Sequence, residues 1–125
     1  MTGLVLVADD DEDILFLVTT RLKRDGYEVV AARNGIEALA LAQEHKPAVA
    51  VLDVGMPGLD GLEVLEAIRE TTSLAHTRVL LLTAKAQESD VRRGYEAGAD
   101  AYVKKPFSPA ELAARVRSLY EPGVL

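Results

Sequence analysis

Three apolar runs in this chain end on ionisable residues whose types, taken together, describe one chemistry. Leu4-Val5-Leu6-Val7-Ala8 runs into Asp9-Asp10, Ala48-Val49-Ala50-Val51-Leu52 runs into Asp53, and Ala101-Tyr102-Val103 runs into Lys104-Lys105-Pro106. If the runs are neighbouring strands, three carboxylates and a lysine converge on one crevice. Carboxylates held that close repel one another and invite a hard divalent cation such as Mg²⁺. A carboxylate, such an ion and a lysine together make a place to receive a phosphoryl group.

The runs themselves are short, continuously apolar and rich in Val and Leu, as strands buried on both faces of a parallel sheet are. Strand and helix signals alternate along the chain. The predicted strands are Leu4 to Ala8, Tyr27 to Ala31, Ala48 to Asp53, Arg78 to Leu82 and Ala101 to Val103, the last being the shortest. Ile14, Leu15, Val18 and Leu22 give the first helix its apolar face, with Asp11, Glu12 and Asp13 at the dipole end that favours acids. Asp25-Gly26 ends that helix. Asn34-Gly35 opens the second, which Lys46-Pro47 closes, and Leu62, Leu65 and Ile68 mark the third. A fourth, near Ser89 to Ala97, is the least apolar, and Ser108-Pro109-x-Glu111 is a capped start for the fifth. Five βα units with right-handed crossovers give a doubly wound parallel sheet of order 2-1-3-4-5. That order brings Asp9, Asp10, Asp53, Thr83 and Lys105 to the carboxyl edge, where open parallel sheets bind ligands.

At 125 residues the chain has the size of one domain, read as residues 1–120 with 121–125 a tail or linker stump. With 49% hydrophobic and 27% charged residues, its composition is that of an ordinary globular protein. No apolar stretch approaches the roughly 18 residues that span a bilayer, and no basic segment leads an apolar core at the N-terminus. Absence of cysteine excludes disulfides and thiolate metal sites and fits a cytoplasmic protein. A net charge of −6 argues against nucleic-acid binding through this domain.

The strongest single signal is Val51-Leu52-Asp53-Val54-Gly55-Met56-Pro57-Gly58-Leu59-Asp60-Gly61. Alone, a strand-end carboxylate caps a helix or solvates a loop, and the proline and glycines punctuate a turn. Alone, Asp9-Asp10 is an acidic helix start, Lys105-Pro106 a solvated lysine before a proline, Thr83 a β-branched strand end and Tyr102 a half-buried strand tyrosine. Set in this order along the chain, they resemble the receiver domain of two-component response regulators, chemotaxis-regulator-like, from Leu4 to about Leu119. The resemblance implies a flavodoxin-like fold with Asp53 as phosphoacceptor nucleophile. It implies that Asp10 and Asp53 ligate Mg²⁺, with the backbone carbonyl of Gly55 as a third ligand and Asp9 acting through water. Lys105, before an often cis peptide, would pair with Asp53 at rest and with a phosphoryl oxygen afterwards. The Thr83 hydroxyl and the Ala84 amide would donate to phosphoryl oxygens. Tyr102 would turn inward as Thr83 moves, with a readout on the fourth helix, fifth strand and fifth helix. Gly55 and Lys85 stand where side chains tune the attack of water on the phosphoryl group.

The function so implied is a Mg²⁺-dependent switch, phosphorylated by a sensor histidine kinase or phosphotransfer protein to control an effector. It would not be an enzyme with a separate substrate, although it takes part in its own phosphorylation and hydrolysis. A flavin carrier of the same sheet order wants a glycine- and hydroxyl-rich phosphate loop where Asp9 to Asp13 stand. An aspartate-nucleophile phosphatase puts its nucleophile after the first strand and adds a cap domain. A receiver that signals by contact alone usually loses an acid or the lysine, and this chain keeps Asp9, Asp10, Asp53 and Lys105. Phe107-Ser108-Pro109-Ala110-Glu111-Leu112 and Arg115 look most like receivers attached to winged-helix DNA-binding domains. Those dimerise on their last helix-strand-helix face through charges matched here by Arg93, Glu111 and Arg115, whereas Ala101 replaces an acid they usually carry. The expectation is a monomer at rest, with dimerisation on activation left open.

Overall fold

β1 (Leu4–Ala8) turns Val5 and Val7 to one face of a sheet and Leu6 and Ala8 to the other, and all four are fully buried. β3 (Val49–Asp53) repeats the pattern with Val49 and Val51 against Ala50 and Leu52, and β4 (Arg78–Thr83) with Leu80 and Leu82 against Val79 and Leu81. A strand buried on both faces has no polar face to alternate with, which is why these segments are apolar throughout. With β2 (Glu28–Ala32) and β5 (Ala101–Lys104) they form one five-stranded, all-parallel sheet of order β2-β1-β3-β4-β5, described over residues 3–84 and 88–120 of this computed structural model.

α1 (Glu12–Arg24) and α5 (Pro109–Tyr120) cover one face, where Val18, Leu22, Leu112 and Val116 meet the odd-numbered valines of β1 and β3. α2 (Gly35–His45) and α3 (Gly61–Glu70) cover the other, where Val64, Leu65 and Ile68 meet Leu6, Leu52 and Leu81. Each such Leu or Val contributes roughly 1.5–3 kcal/mol when fully buried, so most of the burial energy sits at the sheet centre. α4 (Glu88–Glu96) closes the order beside β5.

Local signals fixed most helix ends. Asp11 caps α1 by accepting from the amides of Asp13 and Ile14, and Asn34 caps α2 by accepting from Glu37. Ser108 accepts from the Glu111 amide at 3.0 Å, with Pro109 the first residue of α5. Several boundaries differ from expectation. The second strand is Glu28–Ala32 instead of Tyr27–Ala31, because Tyr27 leaves the ladder to pack edge-on against Tyr120 at 5.6 Å. The third begins at Val49, the fourth continues to Thr83 and the fifth to Lys104. α4 lies one residue earlier at both ends than the predicted Ser89 to Ala97, its last turn closed by Gly98 at a positive φ of 109°. A short 3₁₀ turn, Thr72–Leu74, went unforeseen and seats a fully buried Leu74. Lys85 and the predicted tail at 121–125 lie outside the described residues.

Candidate functional site

β1, β3 and β4 deliver Asp9, Asp53 and Thr83 to the same edge, all buried. The β3 ladder ends with Asp53 opposite Leu82, and the Val54 amide still donates to the Leu82 carbonyl at 2.9 Å. The chain then turns sharply into α3. A β-carbon at Gly61 would stand 2.6 Å from the Asp53 carbonyl, so only glycine lets this helix start so close to the strand end. Asp60 caps α3 in a reciprocal pair with Glu63, at 2.8 and 2.9 Å. Met56, read from sequence only as part of the loop, is buried beneath it.

β5 supplies the cation. The Lys105 amide donates to the Thr83 carbonyl at 2.8 Å, and the Lys105–Pro106 peptide is cis. The Lys105 ammonium lies 3.2 Å from Asp53 Oδ1 and 3.0 Å from Asp9 Oδ2. Burial pulls that ammonium down, but its contacts with Asp9 and then Asp53 outweigh the burial and hold its pKa above the ordinary lysine value. Asp9 Oδ1 accepts from the Asp11 amide at 2.9 Å, and Asp53 Oδ1 also faces the Gly55 amide at 3.3 Å.

One carboxylate is only partly compensated. Asp9 Oδ2 is wholly buried, and the Lys105 ammonium 3.0 Å from it is shared with Asp53. A buried acid that shares its cation can take a further cationic ligand. Carboxylate oxygens of Asp9, Asp10 and Asp53 all lie within 4.8 Å of one another, with Asp10 exposed to solvent. Three oxygen donors with an open side suit a hard divalent cation that keeps several waters. The residues therefore fit Mg²⁺.

A cleft of about 410 Å³ opens over the acceptor. Asp53, Thr83 and Ala84 line it together with Val54, Gly55, Asp60, Leu62, Arg93 and Tyr102. Tyr102 is half-buried, and its ring lies against Gly94, where a β-carbon would meet ring atom Cε2 at 2.4 Å. The Tyr95 ring packs on it with centroids 5.7 Å apart.

Every predicted site residue thus gathers at one edge: Asp9, Asp10, Asp53 and Lys105 in direct contact or within reach, and Gly55, Thr83, Ala84 and Tyr102 around the cleft. Sequence reading named Arg93 only as a match to a pairing-face charge and did not foresee that it also lines the cleft. It also missed a second polar cluster at the opposite edge, where Arg69 donates to Asp100 at 2.9 Å, to the Thr77 carbonyl at 2.7 Å and to the Gly98 carbonyl at 3.0 Å.

Comparison with known proteins is consistent across sequence and structure. A family model described as "Response regulator receiver domain" matches residues 5–117. The alkaline phosphatase synthesis transcriptional regulatory protein PhoP of Bacillus subtilis is 45% identical over 119 residues, 95% of this chain and 49% of that protein. The probable transcriptional regulator ycf27 of Cyanophora paradoxa is 47% identical over 92% of this chain and 47% of its own length. The chain therefore spans about half the length of these curated relatives. Among solved structures, the BeF3-activated DrrB receiver domain superposes with a TM-score of 0.86 at 40% identity, covering 97% of this chain and 99% of that one. Chemotaxis protein CheY4 of Vibrio cholerae does so with a TM-score of 0.90 at 34% identity, covering 95% and 99%.

Proposed function

The chain belongs to the response regulator receiver domain family of two-component systems, and on that premise we propose that it is a phosphoacceptor switch with Asp53 as the acceptor. The observation that carries this is the buried Asp53 carboxylate at the end of β3, held by Lys105 at 3.2 Å beside the paired acids Asp9 and Asp10.

An Asp53 carboxylate oxygen attacks the phosphorus of a phosphohistidine, the P–N bond breaks, and its electron pair stays on the imidazole nitrogen. Asp53 becomes an acyl phosphate. Asp10 and Asp53, with the Gly55 carbonyl, would hold Mg²⁺, and Asp9 would act through water. When bound, the ion supplies charge compensation between acceptor and donor. Lys105 moves its contact from the Asp53 carboxylate to a phosphoryl oxygen, and Thr83 and the Ala84 amide donate to the others. Thr83 shares the cleft with Tyr102, so its movement frees the space into which the ring turns, and α4, β5 and α5 carry the readout. Water then attacks the phosphorus, the P–O bond to Asp53 breaks with its electron pair returning to the carboxylate, and inorganic phosphate leaves, which resets the switch. In this reading the protein has no separate substrate and is not an enzyme in the usual sense.

A protein donor must dock beside Asp53. An apolar groove of about 340 Å³ lies on the Lys105 side, lined by Ile14, Leu17, Pro106, Phe107 and Pro109. Leu17 in its lining stays 52% exposed. That surface suits the helices of a sensor histidine kinase or phosphotransfer protein. Among the described residues no helix is long and apolar enough to cross a membrane, and the cytoplasm is where we place the exchange. Transcriptional output, as the names of the relatives suggest, would run through a DNA-binding segment or partner beyond this acidic domain.

The test is intact mass after incubation with Mg²⁺ and acetyl phosphate. One added phosphoryl group that requires Mg²⁺ and is absent from Asp53→Asn supports the switch. No added mass on folded protein, with a working control receiver, would leave a module that signals by contact alone.

A further inference from the structure

The loop between β3 and α3 carries the Gly55 carbonyl, and it lies against the first turn of α2. Gly35 is the first residue of that helix and is buried. A β-carbon on Gly35 would stand 1.8 Å from the Leu59 carbonyl oxygen, 2.6 Å from the Leu59 carbonyl carbon and 2.7 Å from Leu59 Cβ. The two nearest are backbone atoms, so the loop itself, and not the end of a side chain, would have to move. Nothing in its own backbone asks for glycine, since Gly35 is not among the residues at positive φ and alanine has the higher helix propensity. The close approach of the loop is what asks for it. The Gly35 amide also donates to the Pro57 carbonyl at 3.4 Å. Ile36 covers the next loop residue: a β-carbon on Gly58 would stand 3.4 Å from Ile36 Cδ1. Three successive residues, Pro57, Gly58 and Leu59, thus bear on one turn of α2.

We propose that Gly35 is a positioning residue for the divalent cation: lacking a side chain, it seats the β3–α3 loop on α2, and that seat fixes where the Gly55 carbonyl stands. This rests on Asp10, Asp53 and the Gly55 carbonyl being the ligands of the acceptor site. Asp53 ends β3 and Asp10 follows closely on β1, so the paired strands hold both carboxylates. The carbonyl has no strand to hold it and takes its place from what its loop packs against. Displacing the loop therefore removes one ligand and leaves the two carboxylates, and the Lys105 contact with Asp53, where they are. Mg²⁺ then binds more weakly, while Asp53 keeps its reactivity once enough of the ion is supplied. Contacts that orient a metal's ligands change affinity by about 10–100-fold when lost.

Calorimetric titration of the unphosphorylated protein gives the Mg²⁺ dissociation constant for wild type, Gly35→Ala, Ile36→Ala, Arg69→Ala and Asp53→Asn. Intact mass after acetyl phosphate, over a series of Mg²⁺ concentrations, gives the half-maximal concentration and the saturating rate. Neither α2 substitution changes a charge, so altered Mg²⁺ binding reports geometry. Gly35→Ala is expected to weaken Mg²⁺ about tenfold and to raise the half-maximal concentration by the same factor, with the saturating rate close to wild type. Ile36→Ala removes a side chain that is 64% exposed, and weakens Mg²⁺ by a smaller factor. Arg69→Ala lowers stability from the opposite edge and keeps the wild-type constant, which separates loop placement from a general loss of stability. A constant unchanged in Gly35→Ala, or raised equally by Arg69→Ala, overturns the proposal and leaves the acceptor assignment standing. Should Gly35→Ala not fold, Ile36→Ala decides: a weakened constant supports the seat and an unchanged one overturns it. A wild type that binds Mg²⁺ no better than Asp53→Asn removes the metal reading of the site, and the proposal with it.

Discussion

The two edges of the sheet use the same ionic chemistry to opposite ends. At the amino edge Asp100 Oδ2 accepts from the Val79 amide at 2.8 Å and from Arg69 at 2.9 Å, while Arg78 stands 3.8 Å from Oδ1. Arg69 spends its remaining donors on the Gly98 and Thr77 carbonyls, and the buried Thr77 hydroxyl donates to the Pro47 carbonyl at 2.8 Å. Two cations serve one acid there. At the carboxyl edge Asp9 and Asp53 share one lysine, and Asp10 adds a third acid within 4.8 Å of both. A satisfied network fixes one arrangement, whereas an under-compensated one waits for a further charge. The amino edge holds α3, β4 and β5 together; the carboxyl edge is poised.

The sharpest way to break this contrast is a crossed pair of variants. Asp53→Asn is expected to abolish phosphoryl incorporation yet to be about 1 kcal/mol more stable than wild type without a divalent cation, since it removes repulsion among Asp9, Asp10 and Asp53. Arg69→Ala should do the reverse. It strands the Asp100 carboxylate and two carbonyls, which costs roughly 2–3 kcal/mol, and it leaves the phosphorylation rate of the folded protein unchanged. Urea denaturation and intact-mass kinetics on both variants decide it. Equal losses of stability would show that the carboxyl edge is as much a structural lock as the amino edge.

The same contrast explains what was legible in the sequence. The carboxyl edge was readable because each of its charges follows directly on an apolar strand: Asp9 on Ala8, Asp53 on Leu52, Lys105 shortly after Val103. Sheet order then forces them together, so local pattern and topology were enough. The amino edge was invisible because Arg69 lies in the last turn of a helix and Asp100 stands 31 residues further on. Nothing local marks them as partners. The place of Arg93 on the cleft lining was not legible either, because nothing in its weakly apolar helix marks which residue reaches the cleft. Asp60 and Asp11 were seen as parts of acidic or family segments, and the structure gives both the more local task of capping a helix.

If the carboxyl edge lacks a cation, supplying one should stabilise the fold. Mg²⁺ at about ten times its dissociation constant is expected to raise the unfolding free energy by about 1.4 kcal/mol. Asp53→Asn and Asp10→Asn should lose most of that gain, and Arg69→Ala should keep it in full. Thermal unfolding with and without Mg²⁺ reads this directly, and a gain retained in Asp10→Asn would move the ion elsewhere.

The smallest effect belongs to Lys105, because it is the one charge that already compensates the acids. Its ammonium is held above the usual lysine value by Asp9 and Asp53 in spite of burial. A raised folded-state value means that the lysine binds its proton more tightly folded than unfolded. Its contribution is therefore complete below the unfolded lysine pKa of about 10.4 and fades as pH rises through the higher folded value. The difference in unfolding free energy between wild type and Lys105→Met should be flat from about pH 7 to 9 and then shrink above about pH 10.4. Other lysines titrate in both proteins and drop out of the difference. A gap that stayed constant through that range would mean that Lys105 acts by packing its methylenes over Asp53 and not by its charge, and the lysine would then no longer count against the three acids.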